Sequence, residues 1–154
     1  MTIEVRRVVT GHDSSGRSTV THDSIARAEP SPRPGVSSAL LWCDQTLPAT
    51  VDGARDGASL PVGTALDGGS VFRIVRYDPG VAPRMHRTQT IDYAYVVSGE
   101  IDMELDTGPV TLRAGDFLVQ RGTIHNWVNR GVEPAVIAFV LIAAAMNETQ
   151  QAEG

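Results

Sequence analysis

From Ser70 onward the chain breaks into strand-sized segments: SVFRIVRYD (70–78), IDYAYVVSG (91–99), EIDMELD (100–106), PVTLR (109–113), DFLVQ (116–120), HNWVN (125–129) and AVIAFVLI (135–142). Pro-Gly, Ser-Gly, Thr-Gly-Pro, Ala-Gly and Arg-Gly, all turn formers, separate them. Many short strands with no sustained helical period predict an all-β sandwich or barrel. Within 91–97, Ile91, Tyr93, Tyr95 and Val97 are large, whereas Asp92, Ala94 and Val96 include the one charge and a small residue. A period of two sends these sets to opposite faces, so one face packs broadly and the other leaves space around a carboxylate, as a small barrel with a ligand cavity requires. The apolar run from Ala135 to Ala145 is short and β-branched, which suits a strand buried on both faces.

Residues 1–69 differ in texture. Turn clusters such as Pro30–Gly35 and Asp52–Gly57 interrupt short strand-like stretches at Val5–Thr10, Ser18–Thr21 and Ser38–Trp42. This part reads as an irregular N-terminal arm wrapping the barrel or a partner, with the barrel over 70–145 and a frayed polar tail over 146–154. An arm with few apolar residues needs a surface to lie on, and Tyr93 and Tyr95 face away from the carboxylate side, so a homodimer is expected.

Composition narrows the chemistry. The chain has 154 residues, enough for one domain, and all 13 of its basic residues are Arg. Without lysine there is no Schiff base, no pyridoxal, biotinyl or lipoyl anchor and no P-loop, so no organic cofactor is expected. One cysteine, Cys43, allows no internal disulfide, CxxC pair or cysteine-zinc cluster; it reads as a buried small hydrophobe and fits a reducing, cytoplasmic setting. The net charge of -5 gives no basic footprint for nucleic acid or an anionic membrane, and no stretch approaches the roughly 18 apolar residues of a spanning helix. The partner expected is a small organic molecule. His12 and His22 lie in the arm and read as surface histidines outside the site.

Gly80, His86, Thr88, Asp92 and Gly99 form a spaced set that resembles the first motif of the cupin family, Gly, five residues, His-x-His, three or four residues, Glu, six residues, Gly. Gly115-Asp116, Gln120, Gly122, His125 and Asn129 resemble the second, with Gln120 where Pro is usual and the intervening strand one residue shorter. HRTQTIDY with VQRGTIHNW looks like a branch of small single-domain cupins, some found in secondary-metabolite pathways as proposed oxidoreductases, decarboxylases or dehydratases. The resemblance implies a cupin-type double-stranded β-helix, a jelly-roll barrel.

It also implies a ligand set in which His86 and His125 keep the first and last positions, Asp92 replaces Glu and Thr88 replaces the second His. Two imidazoles and one carboxylate would suit a divalent metal: Fe(II) activating dioxygen, or Zn(II) or Mn(II) acting as a Lewis acid. The leading expectation is therefore a metal-dependent cupin enzyme acting on a hydrophobic or aromatic metabolite, with His86, Asp92 and His125 both catalytic and metal-ligating. In a metal-free alternative, Asp92 accepts hydrogen bonds from His86 or Thr88 and orients an imidazole for proton transfer, enough for dehydration, isomerisation or decarboxylation. A non-catalytic ligand-binding cupin is the third reading. Thr88, Gln89, Gln120 and Trp127 are candidate substrate contacts, Trp127 because it shares a strand face with His125. Arg73, Arg76, Arg84 and Arg87 flank the first motif and could receive a carboxylate, although most are expected on a solvated face.

Overall fold

The computed structural model describes residues 2–51 and 53–146. Of the expected frayed tail, only Met146 lies within the described residues. Eleven strands make up the architecture: β1 Glu4–His12, β2 Ser18–Arg27, β3 Glu29–Pro30, β4 Val36–Asp44, β5 Ser70–Tyr77, β6 Thr90–Ser98, β7 Glu100–Leu105, β8 Gly108–Arg113, β9 Phe117–Arg121, β10 Asn126–Val128 and β11 Ala135–Ala143. They form an antiparallel six-stranded sheet ordered β3-β4-β5-β11-β6-β9, a three-stranded sheet ordered β10-β7-β8, and a β1-β2 hairpin. Among the described residues no helix is long and apolar enough to cross a membrane. The all-β barrel expected from the segment pattern, in the jelly-roll form that the motif resemblance implies, is the fold observed.

The two larger sheets face each other across one core. Val71, Val75, Val96, Ile137 and Phe139 from the six-stranded sheet meet Ile101, Met103, Leu112 and Trp127 from the three-stranded one. Each group follows the period-two rule along its strand, so the hydrophobic effect fixes which face turns inward. The turn from β6 into β7 needs Gly99: its φ is 79°, and a Cβ there would lie 2.4 Å from the Pro134 carbonyl oxygen. That close approach seats the start of β11 beside the turn.

The first 44 residues are more regular than their turn-rich texture suggests. β1 and β2 pair along their length, and β4 is an integral strand of the main sheet, hydrogen-bonded to β5. Most of β2 is exposed, with His22 and Ala26 half-buried, and Ala26 packs with Ile3, Val5, Leu41 and Val136 around Ala28, Ala39 and Ile74. The hairpin thus covers part of the sheet's outer face, which accounts for the apolar residues on both sides of β11. Within the presumed arm, the long stretch that carries no strand among its described residues is 45–69. Beyond the hairpin's cover the outer face stays apolar and exposed: Tyr95 stacks on Phe117 at 4.7 Å, and Tyr93 and Val119 pair beside them.

Candidate active site

The alternation of β6 places Thr90 and Asp92 on the inner face, each 3% exposed, and leaves Tyr93 and Tyr95 outside. Asp92 is opposite Gln120 of β9 in the register. The Gln120 amide donates to Asp92 Oδ2 at 2.8 Å, and the Thr90 hydroxyl donates to Oδ1 at 2.6 Å. The relay extends further, with the Thr88 and Thr90 hydroxyls 2.8 Å apart and the Thr123 hydroxyl donating to Gln120 Oε1 at 3.1 Å. Both carboxylate oxygens are therefore engaged by neutral donors. Burial pushes the Asp92 carboxyl above its ordinary value, and the Thr90 hydrogen bond opposes that shift.

His86 and His125 come together on an antiparallel bridge, each backbone N–H donating to the other's carbonyl at 3.0 Å. Their rings lie 4.5 Å apart, centre to centre. His86 Nδ1 is 3.0 Å from the Arg84 carbonyl oxygen and His125 Nδ1 is 2.9 Å from the Thr123 carbonyl oxygen. A carbonyl only accepts, so each neutral ring carries its proton on Nδ1 and leaves Nε2 as a lone pair. Burial is the main cause lowering both pKa values, that of His125 to about 4, where His86, Arg33 and Arg84 add repulsion. At neutral pH both rings are uncharged bases.

This geometry corrects the ligand set expected from the sequence. The two histidines meet as expected, but Asp92 is bound into the Thr90–Gln120 network and makes no hydrogen bond to either ring. Among the described residues no group of three or more His, Cys, Asp and Glu side chains is placed to hold a metal ion. The donors present do not fit the two-histidine, one-carboxylate centre. The metal-free alternative changes too: Asp92 accepts from Thr90 and Gln120, and Thr88 reaches it only through Thr90.

The pair opens onto a cavity of about 820 Å³ lined also by Thr88, Asp92, Gln120 and Trp127. That volume lies within the usual range for small-molecule sites. Trp127 is both core and wall: its ring meets His125 edge-on at 6.0 Å and packs on Tyr77 and Phe139, each at 5.8 Å. Gln89 is not part of the lining. It is exposed, one residue out of phase with Thr88 and Thr90, and its carbonyl accepts from the Ala144 N–H.

Sequence reasoning missed much of the wall. Residues 29–40 and 58–64, from the presumed arm, contribute Arg33, Val36, Leu40, Leu60 and Val62, and β5 contributes Arg73, Val75 and Tyr77. Arg73, half-buried, and Arg84, exposed as expected of the flanking arginines, both line the cavity, whereas Arg76 pairs with Asp78 at 2.8 Å. Cys43 is fully buried with its thiol donating to the Gly57 carbonyl, as a small hydrophobe would be.

Two facing antiparallel sheets around a ligand-sized cavity, with histidines brought together from the two motifs, define a small cupin barrel. The chain belongs to the cupin family: the family described as "Cupin domain" matches residues 73–142. "Phomopsin biosynthesis cluster protein C'" of Diaporthe leptostromiformis is 43% identical over 133 residues, 80% of this chain and 70% of that protein. "Cupin-domain-containing oxidoreductase fogC" of Aspergillus ruber is 34% identical over 147 residues, 90% of this chain and 72% of that protein. Among solved structures, the polyketide cyclase RemF from Streptomyces resistomycificus shares the fold with a TM-score of 0.52 and 17% identity, over 80% of this chain and 82% of that one.

Proposed function

We propose that the chain is a proton-transfer enzyme acting on a small, largely apolar organic molecule of secondary metabolism, with His125 as general base and His86 as its partner. The observation that carries this reading is the fixed tautomer of the pair, in which two adjacent neutral imidazoles each hold a free Nε2 because backbone carbonyls take both Nδ1 protons. His125 would remove an acidic proton from carbon or oxygen next to a carbonyl, and the imidazolium so formed, a strong acid in this dry setting, would return the proton at a second atom. Depending on the atom that receives it, the outcome is isomerisation, cyclisation or loss of water. Asp92 and Gln120 hold β6 to β9 and so keep the wall rigid. Relatives named as biosynthesis-cluster proteins support the secondary-metabolic setting, and the single cysteine supports a cytoplasmic one.

The names of relatives such as fogC favour a second reading, in which the same base begins an oxidation and dioxygen accepts the electron pair. One experiment addresses both. The molecule that co-purifies with the protein is identified by mass, then incubated with enzyme in deuterated water beside a panel of 1,3-dicarbonyl and phenolic compounds. Deuterium incorporation or product formation that is lost in His125→Asn supports proton transfer, and oxygen consumption supports the second reading. Incorporation that is the same with and without His125 overturns both.

A further inference from the structure

An acidic protein of net charge -5 places three arginines, Arg33, Arg73 and Arg84, around one cavity. The carboxylates there do not answer them. Asp92 is engaged by Thr90 and Gln120, and no ion pair joins Glu29 to any of the three among the described residues. Arg33 donates to the Ala82 and Trp127 carbonyls and to Asn126, all neutral acceptors.

Of the three, Arg73 is the one with a buried, unsatisfied nitrogen among the described residues. It sits in phase with Val71, Val75 and Tyr77 on the inner face of β5, opposite Leu40 of β4 and Phe139 of β11, both of which also line the cavity. Among the described residues its one hydrogen bond runs from Nη2 to the Gly63 carbonyl, and its Nε is buried without a partner there. A charge desolvated in this way is costly unless something pairs with it, and a guanidinium is matched best by a planar oxyanion. Burial lowers the Arg73 pKa, and the group that opposes the change is the Tyr77 phenol, with no carboxylate among the causes. Tyr77 ties the cluster together, since its ring lies under Arg33 at 5.9 Å and its hydroxyl feels Arg33, Arg73 and Arg84 alike.

We propose that the cavity selects an organic carboxylate, with Arg73 as the residue that reads the oxyanion and Arg33 and Arg84 adding positive field. The proposal rests on the reading of the cavity as a substrate site and narrows its substrate class to hydrophobic acids. A bound anion would also raise the basicity of His125, bringing it nearer the pH at which the enzyme works.

The test compares two matched probes, 2-naphthoate and the neutral 2-naphthamide, by isothermal titration calorimetry on the full chain at low salt. Wild type is expected to prefer the acid by about tenfold or more, Arg73→Met to lose that preference while keeping its affinity for the amide, and Arg73→Lys to fall between them. Thermal melting serves as the folding control, and Arg73→Met should melt at or above wild type because it removes an unanswered buried cation. Equal affinity of wild type for the two probes, a preference retained in Arg73→Met, or no binding of either probe up to about 1 mM overturns the proposal. His125→Asn should keep the preference for the acid. Failure here is therefore seen in binding, whereas failure of the proton-transfer reading is seen in isotope exchange.

Discussion

Replacing His125 by Asn removes one titrating group while the amide still offers a donor to the Thr123 carbonyl, which His125 Nδ1 now meets at 2.9 Å. Burial takes His125 from 6.5 down to about 4, so between those values the unfolded chain binds a proton that the folded chain refuses. The linkage sign follows: stability rises with pH across this window, is whole above about pH 6.5 and is lost as pH falls towards 4. The full shift is worth roughly 3 kcal/mol, of which about 2.5 kcal/mol is lost by about pH 4.5. Exposure of only 3% leaves little solvent screening to reduce it. His86 shifts in the same direction and is present in both proteins, so it cancels to first order. Urea unfolding of wild type and His125→Asn at about pH 7 and about pH 4.5 gives the difference of differences, and wild type should lose about 2 kcal/mol more than the variant on acidification. A difference below about 0.5 kcal/mol would refute the claim that burial keeps this ring neutral.

Asp92→Asn should cost about 1–3 kcal/mol by urea unfolding, because an amide cannot accept from both Thr90 and Gln120 without turning a donor towards a donor. Dialysis against a strong chelator should leave deuterium exchange unchanged, and loss of exchange with recovery on adding Fe(II), Mn(II) or Zn(II) would contradict the donor set described. Trp42→Phe leaves Trp127 as the sole tryptophan, so its emission should respond to 2-naphthoate, whereas Trp127→Phe in the wild-type background should abolish that response. Light scattering at micromolar concentration should give twice 16.4 kDa, with Phe117→Glu returning the mass to that of one chain; a single-chain mass for wild type would exclude pairing through the outer face.

The strands from Ser70 onward were legible because each is a short run of strand-forming residues with turn formers at its ends, both local signals. The histidine pair was legible through motif spacing. The commitment of Asp92 was not, since it depends on the β6–β9 register that puts Gln120 opposite, and one strand's pattern carries no information about its neighbour's offset. Arg73 was hidden for a different reason. In SVFRIVRY, Val71 and Val75 are apolar on one face and Phe72 and Ile74 on the other, so the period names no inward side. Packing of β4 and β11 on either side decides it. The cavity wall from 29–40 was hidden by the turn cluster Pro30–Gly35, and the strand-like stretch from Ser38 carried no sign of its partner until β4 is seen paired with β5.

That wall lies outside the stretch matched by the family, which begins at residue 73. The histidine pair and that part of the cavity wall therefore lie on separate pieces of chain. Two barrels could share every residue of the reactive pair and accept different molecules by exchanging only the segment ahead of β5. Chimeras joined near Gly69, between the two pieces, would offer a modular route to new selectivity with the chemistry left in place.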